Sequence, residues 1–135
     1  MNAITQAGLR AAKADKFEKI LDEARDAARL AVAEASKKFP EMAGACGFAW
    51  VRIDGTEGLA RHCRKMRNSE VASDPRFRNE YNRRYGNKGY PNGWQFWNPG
   101  DHMGQRVDIK EAGAAAFRDV LANYGIRADS GSRLD

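Results

Sequence analysis

The chain reads as an α+β protein: a small mixed sheet of about three strands, flanking helices, and one long N-terminal helix. Three observations lead there. Phe17, Ile20, Leu21, Ala24, Ala28, Ala31 and Ala35 recur at spacings of three and four, the period of a helix face. Gly44–Ile53, GACGFAWVRI, instead alternates at period two. Helical and strand patterns then follow one another as helix, strand, helix pair, strand, helix, strand, which suits a sheet with helices layered on at least one face. A chain of 135 residues fits one domain. We divide it into the helix of residues 1–40 and an α+β core of 41–135, the latter carrying a basic and aromatic segment at 61–98.

The first helix covers residues 4–39. Thr5 offers an oxygen to cap its start, and Pro40 ends it. After Leu21 the apolar stripe is mostly alanine, which permits close helix approach but buries little area per residue. Asp22, Glu23 and Asp26 lie among Lys16, Lys19, Arg25 and Arg29, giving pairs four apart on the outer face. The helix is longer than a core of this size can cover. Either it lies across the sheet with a frayed start, or part of it packs against a second copy, which would make a homo-oligomer.

In the first strand Cys46, Phe48, Trp50 and Arg52 share one face, and Gly47, Ala49, Val51 and Ile53 the other. Apolar residues on both faces mark it as central. Asp54-Gly55 is a turn. Thr56 is placed to cap a helix over 57–67, with Leu59, Cys63 and Met66 as its apolar line, and 68–73 reads as a polar link. Asp74-Pro75 starts another helix: a capping oxygen, then proline at the first helical position. Phe77, Tyr81 and Tyr85 follow at four-residue spacing, which reads as core before it reads as a ligand platform. Glycine-rich turns precede a short strand, Gly93–Asn98, with Trp94 and Phe96 on one side and Gln95 and Trp97 on the other. If the outer sheet face is uncovered, Trp97 or Trp94 is exposed and marks a contact surface. Asp108 and Glu111 form a capping box for a helix to Tyr124, with Ile109, Ala112, Ala116, Phe117, Val120 and Leu121 buried. Gly125 gives a left-handed stop, and Ile126 its hydrophobic contact. Residues 126–135 form a last short strand or a tail.

The net charge is +5, and it is local. Residues 61–90 hold 9 Lys/Arg against 3 Asp/Glu, whereas 1–60 balance and 91–135 are slightly acidic. Such a field draws phosphate or an acidic protein surface; a solvated basic face is the plain alternative. Cys46 and Cys63 match no metal pattern and are too few for a disulfide framework, so they are expected as free, mostly buried thiols. With no signal-like segment and no apolar run long enough to span a bilayer, a cytosolic protein without a membrane role is expected.

CGFAWV at Cys46–Val51, the aromatic strand and Pro/Gly loop at Trp94–Gly100, KEAGAAAF at Lys110–Phe117, Gly125-Ile126 and the terminal SRLD together resemble a group of small uncharacterised bacteriophage proteins. The resemblance covers roughly 44–135 and leaves out the N-terminal helix. It implies a viral protein acting in the host cytoplasm or in the virion, and it implies no activity. The arginine-rich stretch between Met66 and Gly89 is longer than the group leads one to expect, and is a natural place for target contacts.

Catalytic patterns are weak. His62 and Cys63 are neighbours on a helix and so point about 100° apart. Cys46 sits in a strand, and Asp101-His102 is a loop pair that could act as a base. No nucleophile-elbow, zincin or phosphate-loop motif is present. We therefore expect no enzyme, no cofactor and no metal. Arg76, Arg78, Arg83, Arg84 and Lys88 can reach phosphates, and Tyr85, Tyr90, Trp94 and Trp97 can stack on unpaired bases. The same residue types are enriched at protein hot spots. Arg133 either pairs locally with Asp129 or the terminal carboxylate, or reaches a ligand. The expectation is a regulatory or inhibitory binding protein that engages a host or defence protein complex, or nucleic acid. Capture of a phosphorylated small ligand such as a nucleotide signal, and a virion or assembly role, are the alternatives.

Overall fold

Strand β1 (Gly47–Ile53) forms the centre of the sheet in the computed structural model, which describes residues 3–38, 44–90 and 92–135. It is flanked by β3 (Trp94–Trp97) on one side and β4 (Ala128–Leu134) on the other, with the two-residue β2 (Asn87–Lys88) beyond β3. The sheet thus has four strands, and every neighbouring pair is antiparallel, where about three strands in mixed orientation were expected. The additional strand is β2. Its chain reverses tightly, the Gly89 N–H donating to the Gly93 carbonyl at 2.9 Å, so that β3 runs back against β1. The C-terminal segment is a strand, paired with β1 from Gly47↔Leu134 to Ile53↔Ala128.

The helices are α1 (Ala3–Lys38), α2 (Gly58–Ser73), α3 (Arg78–Tyr85) and α4 (Val107–Asn123), with a 3-10 turn, Pro75–Phe77, leading into α3. Ala49, Val51 and Ile53 of β1, with Trp94 and Phe96 of β3, form the inner face of the sheet. Against it pack Ile20, Leu21, Ala24 and Ala28 of α1, Leu59 and Cys63 of α2, Tyr85 of α3, and Phe117 and Leu121 of α4. All four helices therefore serve one face. The alanines of α1 are fully buried at 24 and 28 and bring α1 close along α4. Residues 5–13 of α1 are exposed.

Several local expectations shift. α1 begins at Ala3, so Thr5 lies inside it, and Pro40 falls outside the described residues. Thr56 caps nothing: its N–H and Oγ1 both donate to Asp54 Oδ1, at 2.8 and 2.6 Å. Residues 68–73 continue α2 as helix. Asp74 does accept from the Arg76 N–H, at 3.3 Å, at the start of the 3-10 turn. Of the 77/81/85 stripe only Tyr85 is buried; Phe77 is 43% exposed. Asp108 and Glu111 make no capping box, because Glu111 accepts from Ser132 Oγ at 2.9 Å and α4 starts two residues earlier, at Val107 with Arg106 in the cap position. The end of α4 follows expectation. Gly125 has φ +77°, its N–H donates to Ala122, and the Ile126 N–H reaches back to Leu121 with Ile126 buried.

A polar cluster holds α1 to α2 and α3. Glu18 receives Arg84 Nη2 at 2.8 Å and the Tyr85 hydroxyl at 2.9 Å, and His62 Nε2 lies 2.6 Å away. Burial acts to raise the Glu18 carboxyl, but hydrogen bonds from Arg84, His62 and Tyr85 outweigh it and hold the group below the ordinary carboxylate value. No helix among the described residues is long and apolar enough to cross a membrane.

Candidate functional site

Strand parity sends the other side chains of the sheet away from the helices. On that outer face β1 presents Phe48, Trp50 and Arg52, β3 presents Gln95 and Trp97, and β4 presents Asp129, Gly131 and Arg133. Trp50 lies opposite Trp97 on one side and Gly131 on the other. The two indoles are parallel within 4°, with centroids 5.7 Å apart. Phe48 tilts against Trp97 at 5.3 Å, extending the row to three rings. Glycine at 131 is what lets the Trp50 ring settle: a Cβ there would sit 2.8 Å from it. Phe48 also has the Lys110 ammonium at 5.2 Å and the Arg133 guanidinium at 5.4 Å, both in cation–π range. Lys110 is buried, and its Nζ donates to the Gly47 carbonyl at 2.9 Å, fixing the start of β1.

A groove of about 410 Å³ opens beside Trp97. Its walls come from α3 (Asn79, Asn82, Arg83), the β2–β3 edge (Asn87, Lys88, Gln95) and the loop after β3 (Asn98, Asp101, Met103). In this loop Asn98 and Asp101 have φ of +46° and +55°, in the left-handed region that Asn and Asp enter more readily than other non-glycine residues. Asp101 holds the loop down, accepting from Arg29 at 2.9 Å with Arg25 and Arg83 at 3.6 and 3.8 Å. Asn98 Nδ2 donates to the His102 carbonyl, while its buried Oδ1 has no partner. A larger cleft, about 910 Å³, lies where β1 meets α2; it is lined by charges of both signs and by no aromatic ring.

The residues expected at the site separate into groups. Trp97, 46% exposed, and Arg133 stand on the aromatic face; Arg133 covers Phe48 and does not pair with Asp129. Arg83 and Lys88 line the groove. Tyr90 is 89% exposed at the hairpin, where its carbonyl accepts from Arg52. Arg76 and Arg78 are exposed on the α3 side, with Arg76 forked onto Asp74 at 3.0 and 3.1 Å. Arg84 is turned inward to Glu18 and Asp22. Tyr85 and Trp94 belong to the core, where Trp94 Nε1 donates to the Tyr85 carbonyl at 2.6 Å. The basic run of the sequence is thus divided among ion pairs, the groove and open surface. Phe48, Trp50, Gln95, Asn87 and Asn98 were not among the expected site residues, although period-two parity already placed Phe48 with Trp50 and Gln95 with Trp97.

Cys63 is buried, and desolvation raises its thiol far above the usual value, so it stays protonated. Cys46, expected to be mostly buried, is exposed. Burial lowers the His102 imidazole below its ordinary value, with Lys110 adding to the effect. Among the described residues no group of three or more His, Cys, Asp or Glu is arranged to hold a metal ion. No family model matches the chain, and neither does any curated protein or solved structure.

Proposed function

We propose that the protein binds single-stranded nucleic acid on the uncovered face of its sheet, as a regulatory or inhibitory protein of bacteriophage type acting in the host cytoplasm. The observation that carries this reading is the parallel Trp50–Trp97 pair on a sheet whose helices all lie behind it. Antiparallel four-stranded sheets offer aromatic rings to two or three unstacked bases in this way. Each base stacked on such a ring is worth about 1–3 kcal/mol. Arg133, Lys88 and Arg83 stand at the margins of the aromatic row and groove, where they can follow a phosphate backbone.

The test is binding of short single-stranded and duplex DNA and RNA across a salt series. With about three phosphate contacts, log K against log salt should fall with a slope near −2 for single strands. Trp97→Ala or Trp50→Ala should weaken binding roughly 5- to 150-fold. Absence of single-strand binding at low salt, or unchanged affinity in both variants, overturns the proposal. A second reading, docking on an acidic surface of a host or defence protein complex, draws support from Tyr90 and Met103, 89% and 90% exposed. It predicts capture of that complex with no response to oligonucleotide competitors.

A further inference from the structure

We propose that the groove beside Trp97 reads the edge of one unpaired base and selects adenine. The inference rests on the single-strand reading above. Gln95 stands two residues before Trp97 on the same face of β3 and is cross-strand to Asn87, so a base on the Trp97 ring has carboxamides at its edge. The Gln95 carboxamide makes no hydrogen bond to another described residue, and neither does that of Asn79 across the groove. A carboxamide holds a donor and an acceptor side by side, which matches the N7 acceptor and N6 amino donor of adenine. Guanine shows two acceptors on that edge and calls for a cationic fork. The guanidinium of Arg52, across from Gln95 on β1, is held through Nη2 by the Tyr90 carbonyl at 2.8 Å, and that of Arg83 is drawn toward Asp101 at 3.8 Å. Pyrimidines offer less ring area to the indole.

The volume of the groove lies in the range of small-molecule sites.

The experiment compares fluorescence anisotropy of labelled oligo(dT) strands that are unchanged or carry a single central A, C or G. The readout is each strand's affinity relative to all-T. A central A should bind about tenfold tighter, equivalent to about 1.4 kcal/mol. In Gln95→Met, which keeps the side-chain length but removes the hydrogen-bonding amide, that ratio should fall to the value a central G gives, which is the stacking advantage of a purine alone. A base effect smaller than about twofold, a preference for another base, or a ratio that survives Gln95→Met overturns the adenine assignment. In each of those cases binding of all-T by the unaltered protein leaves the stacking platform standing. If no strand binds at low salt, platform and base selection fall together.

Discussion

Replacing Glu18 by alanine should loosen the long helix from the rest of the molecule. Glu18 is the common acceptor for three side chains of α2 and α3, and its own side chain is 30% exposed. His62, 8% exposed, and the Tyr85 hydroxyl would each lose a partner in a largely dry place. An unmet buried group costs about 1–3 kcal/mol, and Glu18's contact with water puts both losses toward the lower end. Arg84 keeps Asp22 at 2.9 Å and is 34% exposed, so its share is about 0–1 kcal/mol. The total is about 2–4 kcal/mol, or roughly 6–20 °C in Tm for a domain of this size. Thermal unfolding followed by circular dichroism at neutral pH measures it directly. A shift below about 0.5 kcal/mol would refute the view that this cluster anchors α1. The pH dependence supplies a sign. The Glu18 carboxyl is depressed in the folded state, so its contribution is present above the unfolded carboxylate value and is lost as pH falls through the folded one. The stability gap between the native chain and Glu18→Gln should therefore close in acid; a gap that widens there would contradict the assignment.

Two glycines provide an internal comparison. Gly125 has φ +77° with open space where a Cβ would go, so Gly125→Ala should cost only the backbone term, about 1–2 kcal/mol. Gly86 combines φ +79° and ψ −168° with a Cβ position 2.6 Å from the Gln95 carbonyl oxygen, so Gly86→Ala should cost clearly more, about 2–5 kcal/mol. Urea unfolding of both variants checks the order. With a disulfide-exchange reagent at about pH 8, Cys46 should react at once, and Cys63 only after denaturant is added.

Much of the frame was legible because its signals are local. Gly125 and Ile126 predict a helix stop from two adjacent residues, and Asp74-Pro75 does the same for a start. Parity sorted both tryptophan-bearing strands correctly. β2 escaped because two residues have no period. Thr56 was misread because Asp54, two residues earlier, takes both of its donors. Residues 68–73 looked like a link because Asn68, Ser69 and Ser73 are poor helix formers, yet the helix carries through with Val71 half-buried. The site was less legible because the fate of each arginine is set at a distance. Arg84 meets Glu18 and Asp22 more than sixty residues away, and nothing in the run 76–84 distinguishes it from Arg78. Nor could the sequence say which apolar face of β1 the helices would cover.

The pairing of β1 with β4 also sets an order of events during synthesis. β1 is made before the middle of the chain, and one of its edges can be closed only when residues 128–134 have left the ribosome. Until then its backbone groups on that side are open to any other extended strand, and Trp50 lacks the Gly131 surface on which it rests. Closing a sheet across so long a loop is slow compared with forming α1 or α4. The nascent chain should thus pass through a stage with helices in place and the outer face of the sheet unfinished, so that the Trp50–Trp97 pair matures last.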